Sequence, residues 1–219
     1  MKYKCLVLDH DDTVVDSTAS IHFPAFVEYL RVKMPALADK YTLEDYFRYN
    51  FDPGVVEFFK NHVGLSDEDM IDEEAFWRAY VKEHIPNAYP GMKQIIERFR
   101  AEGGIVAVDS HSYASYIERD YRENGLPMPE VIYGWELPPV QRKPSPYTLF
   151  DLMRRYSLTE RDILVVDDLK PGYDMARAAG VDFAAAGWAH DIPEIEGFMR
   201  RHCDYYFKTR ESLYELLFS

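Results

Sequence analysis

Apolar residues along the chain fall into short continuous runs, and helical patterns lie between most of them. The clearest runs are residues 5–8, 105–108 and 163–166, with weaker ones at 131–133 and 181–186. Continuous rather than alternating hydrophobicity is typical of parallel strands that are buried on both faces of a sheet. The alternation of such strands with helices therefore predicts an α/β fold with a Rossmann-like, doubly wound parallel sheet.

One of the helical patterns between these runs is especially regular. Met92, Ile95, Ile96 and Phe99 recur at the spacing of one helix face, and the pattern stops at the glycine pair 103–104. We expect this face to pack against the sheet. Two further helices are predicted to end at Gly125 and to begin at Pro146.

Residues 17–86 do not show this alternation of strands and helices. They contain no convincing strand, and helical stretches follow one another at residues 24–32, 42–49, 53–62 and 71–83. We therefore predict an α/β catalytic core built from residues 1–16 and 87–219. Residues 17–86 are predicted to form an all-helical cap domain inserted after the first strand.

Two local patterns describe the helices of this insertion. Thr42, followed three residues later by Asp45, resembles a capping box at the start of a helix. Ile71, Ala75 and Tyr80, with Trp77 and Val81 beside them, are expected to form a buried, aromatic-rich stripe along another helix. Both patterns fit the interpretation of this segment as a helical insertion after the first strand.

The composition narrows the range of partners. The chain has 219 residues with a net charge of −13, which argues against non-specific binding to nucleic acid and against an anionic membrane surface. Its two cysteines, Cys5 and Cys203, form no disulfide framework and suit a reducing compartment. The N-terminal residues have neither a signal peptide pattern nor a membrane span. We expect a cytoplasmic protein whose partner is a small molecule; the oligomeric state stays open.

Carboxylates crowd together directly after the first predicted strand, where Asp9, Asp11 and Asp12 lie within four residues. Like charges this close repel one another unless a positive charge lies between them. Asp167 and Asp168 follow another strand, and the carboxyl ends of parallel strands form the ligand-binding edge of such sheets. Oxygen ligands without histidine or cysteine at metal spacing suit Mg²⁺ rather than Zn²⁺. The sequence therefore predicts a Mg²⁺ site at this edge.

Four segments resemble the motifs of the haloacid dehalogenase-like (HAD) hydrolases, in that family's order. "LVLDHDDTVVDS" is similar to the first motif, Asp-x-Asp-x-Thr after a strand, and "IVAVDSHS" resembles the second, a strand ending at Ser110. "RKPSPYTLFDLM" resembles the third and contains Lys143, and "ILVVDDLKPGYDMARAAGV" resembles the fourth, with its acidic pair. The resemblance spans nearly the whole core. It implies a phosphatase with a helical cap over its site.

The resemblance also implies a role for each matching carboxylate. Asp9 would be the nucleophile that forms an aspartyl-phosphate. Asp11 would protonate the leaving oxygen and later deprotonate the attacking water. Mg²⁺ would be held by Asp9, by the backbone carbonyl of Asp11 and by Asp168, with Asp167 acting through water.

Phosphate binding would fall to the remaining motif residues. Ser110 and the backbone amides after Asp9 would bind the phosphoryl oxygens, and Lys143 would neutralise them and steady the nucleophile. His10, which lies between the two motif aspartates, is a candidate for a substrate contact. The predicted phosphate-binding set comprises Asp12, Thr13, Ser110, His111 and Lys143.

Three positions depart from the family's usual pattern. Asp109 and His111 flank the second motif where an apolar residue and often asparagine are usual, and Asp12 stands where glycine is common. These departures predict a tighter phosphate loop or a narrower substrate range.

The function expected from these features is a Mg²⁺-dependent phosphatase that acts on a small phosphorylated metabolite. A mutase of the same superfamily, which returns the phosphoryl group to its substrate, stays open because the four motifs do not separate it from a hydrolase. A receiver-type phosphoacceptor module is a more distant alternative, since its acceptor aspartate follows the third strand rather than the first. Nucleoside monophosphates, phosphoglycolate and sugar phosphates all remain candidate substrates.

Overall fold

The chain folds into two units in the computed structural model, which describes residues 2–219. One unit comprises the chain up to Asp16 together with Asn87–Ser219, and the other comprises Ser17–Pro86. The strands, all in the first unit, are β1 (Cys5–Leu8), β2 (Val15–Asp16), β3 (Asn87–Ala88), β4 (Ile105–Asp109), β5 (Val131–Tyr133), β6 (Ile163–Asp167), β7 (Asp182–Ala186) and β8 (Tyr205–Phe207).

Ten α-helices are formed by the described residues. In the inserted unit they are α1 (Phe23–Lys33), α2 (Leu43–Phe51), α3 (Val55–Glu57) and α4 (Asp67–Glu83). In the first unit they are α5 (Met92–Ala101), α6 (Ala114–Glu123), α7 (Tyr147–Tyr156), α8 (Lys170–Ala179), α9 (Pro193–His202) and α10 (Arg210–Phe218). No helix within residues 2–219 is both long enough and apolar enough to cross a membrane.

The main sheet of the first unit has six strands in the order β5-β4-β1-β6-β7-β8, and every neighbouring pair is parallel. The prediction of an α/β fold with a parallel, doubly wound sheet is confirmed. Strand β1 lies between β4 and β6, so the carboxyl ends of these three strands are adjacent. The edge strand β8 was not predicted; its three aromatic residues are only half-buried and lie directly between Asp204 and Lys208.

The core of this unit joins one face of the sheet to helices α5 and α10. Leu6 and Leu8 of β1 lie in one cluster with Phe99 of α5 and Leu213 of α10. The predicted inner face of α5 is confirmed, since all four of its apolar residues are buried. Each such side chain stabilises the fold by roughly 1.5–3 kcal/mol, and together they hold the central strands in place.

The inserted unit is helical, with no strand between Ser17 and Pro86 in the described chain. Its core is aromatic: the Phe26 and Phe59 rings stack at 5.3 Å, and those of Tyr49 and Phe58 at 4.6 Å. The predicted capping box of α2 is confirmed, because the Thr42 hydroxyl accepts from the Asp45 amide and the Asp45 carboxylate accepts from the Thr42 amide.

The stripe predicted along α4 is wrong. Ile71 is 72% exposed and Ala75 is also exposed, so of the predicted residues only Val81 is fully buried, and the helix buries Glu73 as well. The helix begins at Asp67 behind a Ser66 cap, and Met70 is the residue of its first turns that packs on the aromatic core. The buried face therefore overlaps the stripe read from the sequence at Val81 and departs from it at the start of the helix, where Met70 rather than Ile71 packs inward.

A short antiparallel pair of strands lies at the boundary between the units along the chain. Strand β2 pairs with β3, with Val15 opposite Ala88 and Asp16 opposite Asn87. Asp16 is the last residue before the inserted unit, and Asn87 is the first residue after it. The chain therefore leaves and re-enters the α/β unit through two hydrogen-bonded strands.

Candidate active site

The polar residues of the sequence motifs meet at one edge of the sheet. Asp9 directly follows β1, and its amide donates to the Val166 carbonyl of β6 at 2.9 Å. Asp167 is the last residue of β6, and Asp109 is the last residue of β4. Because β4, β1 and β6 are adjacent parallel strands, their carboxyl ends bring these groups together.

Lys143 joins two of these carboxylates. Its Nζ lies 2.7 Å from Asp9 Oδ1 and 2.7 Å from Asp167 Oδ2. The three side chains are at most 7% exposed. Although burial alone would lower the pKa of Lys143, the carboxylates of Asp167 and Asp9 raise it above its usual range. The lysine is therefore held as an ammonium that orients Asp9.

Three carboxylates form a cluster that can hold a cation. Asp9, Asp167 and Asp168 each place a carboxylate oxygen within 4.8 Å of the others. Burial, reinforced by neighbouring carboxylates, raises the pKa of Asp9 and of Asp168 well above the usual range. Asp168 Oδ1 is buried and has no hydrogen-bond partner among the described residues. A hard divalent cation fits this donor set, because it would stabilise the ionised carboxylates and satisfy the remaining oxygen.

Asp167 is held more tightly than the other two carboxylates. Its Oδ2 accepts from Lys143, and its Oδ1 accepts from the Leu169 amide at 2.8 Å. A Cβ atom at Gly172 would collide with the Asp167 carboxylate, so the glycine permits this close approach of α8. With both oxygens engaged, Asp167 suits a supporting contact with a cation better than a direct one.

Asp11 is oriented by a residue that the sequence analysis did not identify. The Ser112 hydroxyl donates to Asp11 Oδ2 at 2.6 Å. Ser112 is itself fixed, because its amide donates to the Ser110 hydroxyl oxygen at 3.0 Å and its carbonyl accepts from the Trp135 amide at 2.9 Å. The available signal was the second serine of "DSHS", but only the fold shows which carboxylate it meets.

The loop after Asp11 has a strained backbone. Asp12 adopts a φ of 59°, in the left-handed region that favours glycine, and aspartate is among the few residues that tolerate it. Its amide donates to the Val15 carbonyl at 2.8 Å. The predicted phosphate contact of Asp12 is therefore corrected: its amide is used inside the turn, and its carboxylate would repel an anion.

The other predicted phosphate ligands lie at or near this edge. Thr13 is fully buried, and its carbonyl accepts from the Trp188 ring nitrogen at 3.2 Å. The Ser110 hydroxyl accepts from the Ser112 amide, so its proton can be donated elsewhere. The phosphate contacts predicted for Thr13 and Ser110 remain predictions.

His111 contacts the lysine segment through its ring. Its Nε2 lies 3.2 Å from the Lys143 carbonyl, so this nitrogen donates, and the ring meets Trp135 edge to face at 5.5 Å. Burial and the Lys143 charge lower the pKa of His111 to about 4. A neutral imidazole does not supply positive charge to a phosphate, and Nε2 already donates to the Lys143 carbonyl, so the phosphate contact of His111 stays a prediction.

The His10 side chain is buried in the core, which does not fit the substrate contact predicted for it. Its ring is 1% exposed, stacks on Tyr121 at 5.9 Å, and places Nε2 3.1 Å from Asp120 Oδ2 on α6. Because the imidazole is packed in the core and bonded to a helix, the candidate substrate contact of His10 is corrected to a structural contact.

Asp109 is a buried carboxylate with few partners. It is 3% exposed, and the Thr148 hydroxyl donates to its Oδ2. Burial raises the pKa of Asp109 to about 6 from an ordinary value of 3.8. The folded chain therefore binds this proton more tightly than the unfolded chain, and the resulting stability is lost as the pH rises through about 6.

Asp109→Asn is accordingly expected to stabilise the metal-free protein at neutral and alkaline pH. The amide avoids the cost of a buried charge and still accepts from Thr148, so the gain at pH 8 should be about 2–3 kcal/mol and about half of that at pH 5. Urea unfolding in EDTA at the two pH values measures it. A gain of the same size at both values would contradict the shifted pKa.

The match to a protein family decides where this chain belongs. The family model described as haloacid dehalogenase-like hydrolase matches residues 6–186. The chain belongs to the haloacid dehalogenase-like hydrolases. The resemblance drawn from the four motifs is thereby confirmed, and the chain is a hydrolytic enzyme of the HAD family.

Curated relatives of this HAD hydrolase carry one common name. A phosphoglycolate phosphatase from Pseudomonas savastanoi pv. phaseolicola is 25% identical over 202 residues, covering 88% of this chain and 73% of the relative. A phosphoglycolate phosphatase from Haemophilus influenzae is 22% identical over 208 residues, covering 89% and 91%.

A solved structure shares the fold of this HAD hydrolase. It is the crystal structure of a haloacid dehalogenase-like hydrolase from Bacteroides fragilis, with a TM-score of 0.79 and 20% sequence identity. The match covers 97% of this chain and 100% of the other. The likeness extends over both units and supports the architecture rather than a substrate.

Proposed function

We propose that this HAD hydrolase is a Mg²⁺-dependent phosphatase that cleaves a small phosphorylated metabolite through a phosphoryl intermediate on Asp9. The observation that carries the proposal is the bridge from Lys143 Nζ to Asp9 and Asp167, at 2.7 Å each, beside the unpartnered oxygen of Asp168. This arrangement supports an ionised nucleophile in a site with places for both a cation and an anion.

The residues present fit a Mg²⁺ ion. Asp9 and Asp168 would hold it directly, together with the backbone carbonyl of Asp11, and Asp167 would act through water. When bound, the cation supplies positive charge that neutralises the phosphoryl oxygens and favours attack by an anionic nucleophile. The same role explains why carboxylates with raised pKa values are concentrated here.

The first half of the reaction transfers the phosphoryl group to the enzyme. A carboxylate oxygen of Asp9 attacks phosphorus, a new P–O bond forms, and the bond from phosphorus to the leaving oxygen breaks. Asp11 donates its proton to that oxygen. Because Ser112 donates to Oδ2, the transferable proton is assigned to Oδ1. Lys143 and the Ser110 hydroxyl contact the phosphoryl oxygens as charge builds up on them.

The second half releases phosphate. Asp11, now ionised, accepts a proton from water, and the resulting hydroxide oxygen bonds to phosphorus. The bond between phosphorus and the Asp9 oxygen breaks, so inorganic phosphate leaves and the nucleophile is restored. Each carboxylate therefore ends the cycle in its starting state, which is the condition for turnover.

Phosphoglycolate is the substrate we propose to test first. Both curated relatives described above are named phosphoglycolate phosphatases, and together they support a small phosphorylated acid as the substrate class. We also propose that the enzyme acts in the cytoplasm, because its two cysteines form no disulfide framework and suit a reducing compartment.

Phosphate release from a panel of phosphorylated metabolites tests the proposal. The panel contains phosphoglycolate, nucleoside monophosphates and sugar phosphates, each assayed with Mg²⁺ and with EDTA. We expect Mg²⁺-dependent release, with the highest kcat/KM for one class. Isomerised sugar phosphate without net phosphate release would replace the hydrolase with a mutase. A stable phosphoprotein that forms without turnover would replace it with a phosphoacceptor module.

A further inference from the structure

Asn124, at the end of α6, is bonded to the strand by which the chain returns from the inserted unit. Its Oδ1 accepts from the Ala88 amide of β3 at 2.7 Å, and its Nδ2 donates to the Asp120 carbonyl at 2.9 Å. One side chain thus ties β3 to the helix that follows the second motif. Helix α6 also contains Asp120, through which the connection extends toward the loop of the nucleophile.

Asp120 is the next member of the connection. Its Oδ2 lies 3.1 Å from His10 Nε2, and its Oδ1 accepts from Arg119 Nε at 2.8 Å. A carboxylate accepts, so Nε2 of the imidazole donates. The His10 and Asp120 side chains are 1% and 5% exposed. A buried, charge-assisted bond of this kind orients its partners strongly.

The backbone of His10 is hydrogen-bonded within the loop that carries the nucleophile. Its carbonyl accepts from the Val14 amide at 2.9 Å and from the Val15 amide at 3.1 Å. Val15 is paired with Ala88, and the Val14 carbonyl accepts from the Tyr89 amide at 2.9 Å. The hydrogen bonds therefore form a closed ring that runs from the nucleophile loop to α6, to β3, to β2 and back to the loop.

Polar groups in this ring are not the simplest way to stabilise a core. A buried pair of polar side chains contributes little net stability compared with apolar residues of similar volume, because both partners lose their hydration. Its benefit is directional: the bonds fix the angle and distance between the groups they join. The ring joins the loop between Asp9 and Asp11 to the two strands through which the chain enters and leaves the inserted unit.

We propose that His10, Asp120 and Asn124 form a positioning relay that holds the nucleophile loop in register with strands β2 and β3. Its effect on turnover rests on the proposed function, because it acts through the placement of Asp9 and Asp11. Its effect on the order of the backbone does not depend on the proposed function. Amide hydrogen exchange therefore tests the relay independently of the reaction.

Asn124→Ala removes the link that lies farthest along the relay from the nucleophile. Asn50→Ala is the matched control, since Asn50 Nδ2 donates to the Tyr46 carbonyl four residues earlier, as Asn124 does to Asp120. In Asn124→Ala we expect faster exchange at Ala88 and also at Val14 and Val15, whose amides bond to His10. Asn50→Ala should leave all three unchanged.

The kinetic readout is a fall in kcat with little change in KM. A displacement of about 1 Å in a reacting group can reduce the rate by about 10²-fold, and we expect about a tenfold loss in Asn124→Ala, where the shift is partial. His10→Leu should lose more, and His10→Gln, which retains a donor toward Asp120, should recover part of the loss. A residue with a purely structural role would lower Tm without this pattern of rescue.

The outcomes separate the relay from the proposed function. Faster exchange confined to Ala88, with Val14 and Val15 unchanged, would overturn the relay. Coupled exchange in a protein that releases no phosphate from any substrate would support the relay and refute the phosphatase. If Asn124→Ala does not fold, Asp120→Asn takes its place with the same exchange measurement, since its amide oxygen still accepts and a weakened bond should raise exchange at Val14 and Val15.

Discussion

Asp9→Asn is expected to abolish phosphate release from every substrate of the wild-type enzyme. The amide oxygen is a poor nucleophile and carries no charge, and Asp167, the other carboxylate bonded to Lys143, has both of its oxygens engaged. Colorimetric phosphate release at saturating substrate and Mg²⁺ measures the effect. The loss should exceed about 10³-fold, which is larger than the loss of one stabilising donor.

Unfolding is not expected to be the cause of that loss. Lys143 keeps its second bond to Asp167 when Asp9 is neutral, so Tm in EDTA should change by only a few degrees. Asp39→Asn is a matched control, because Asp39 is an exposed aspartate of the inserted unit, and full activity is expected there. Turnover that survives in a purified Asp9→Asn protein would mean that the nucleophile has been assigned to the wrong residue.

Lys143→Met is expected to have the second largest effect, on both activity and stability. Without the ammonium, Asp9 and Asp167 face each other in a buried site, and the phosphoryl oxygens lose a charged contact. We expect kcat/KM to fall by about 10²–10³-fold. Loss of one partner from a buried ion pair should lower the free energy of unfolding by about 3–5 kcal/mol.

The stability loss should depend on pH with a definite sign. Removing the positive charge raises the pKa of Asp9 further, because Lys143 is the group that lowers it, so the folded variant holds this proton more tightly than the unfolded chain. Its stability should therefore fall more steeply than that of the wild type between pH 5 and pH 8, measured as Tm in EDTA.

An exposed ion pair provides the control for Lys143→Met. Lys4 Nζ lies 2.8 Å from Asp162 Oδ1, but the lysine side chain is 68% exposed. Lys4→Met should change stability by less than about 1 kcal/mol and leave the activity intact. Equal losses of stability and activity in the two variants would show that the burial of Lys143 does not increase the effect of removing its charge.

The parallel sheet and the edge that carries the site were predictable from the sequence, whereas the order of the strands was decided by the tertiary structure. Continuous apolar runs mark strands buried on both faces, and each run ends in the polar residue that the sheet must then present at its carboxyl edge. Asp9, Ser110 and Asp167 lie at or directly after the ends of their strands for this reason. The inner face of α5 was predictable because four apolar residues leave only one way for the helix to pack.

Side-chain direction inside turns and the rotation of polar helices were decided by the tertiary structure. His10 lies between two site aspartates in sequence, but a partner 110 residues away directs its ring into the core. The amide of Asp12 is used by its own turn, where φ is positive; glycine is common at this position in the family, but only the structure shows the bond that the turn makes. On α4, Ile71 is exposed although it is apolar, because the aromatic core of the insertion packs on a different face.

The division between the two has one physical reason. Burial of a whole strand or helix face depends on many apolar residues together, and the sequence by itself determined those elements and the edge at which their polar ends meet. The orientation of a single polar side chain depends on one or two hydrogen bonds to residues that are distant along the chain. Contacts such as Ser112 with Asp11 and Asp120 with His10 exist only once the strands and helices have packed.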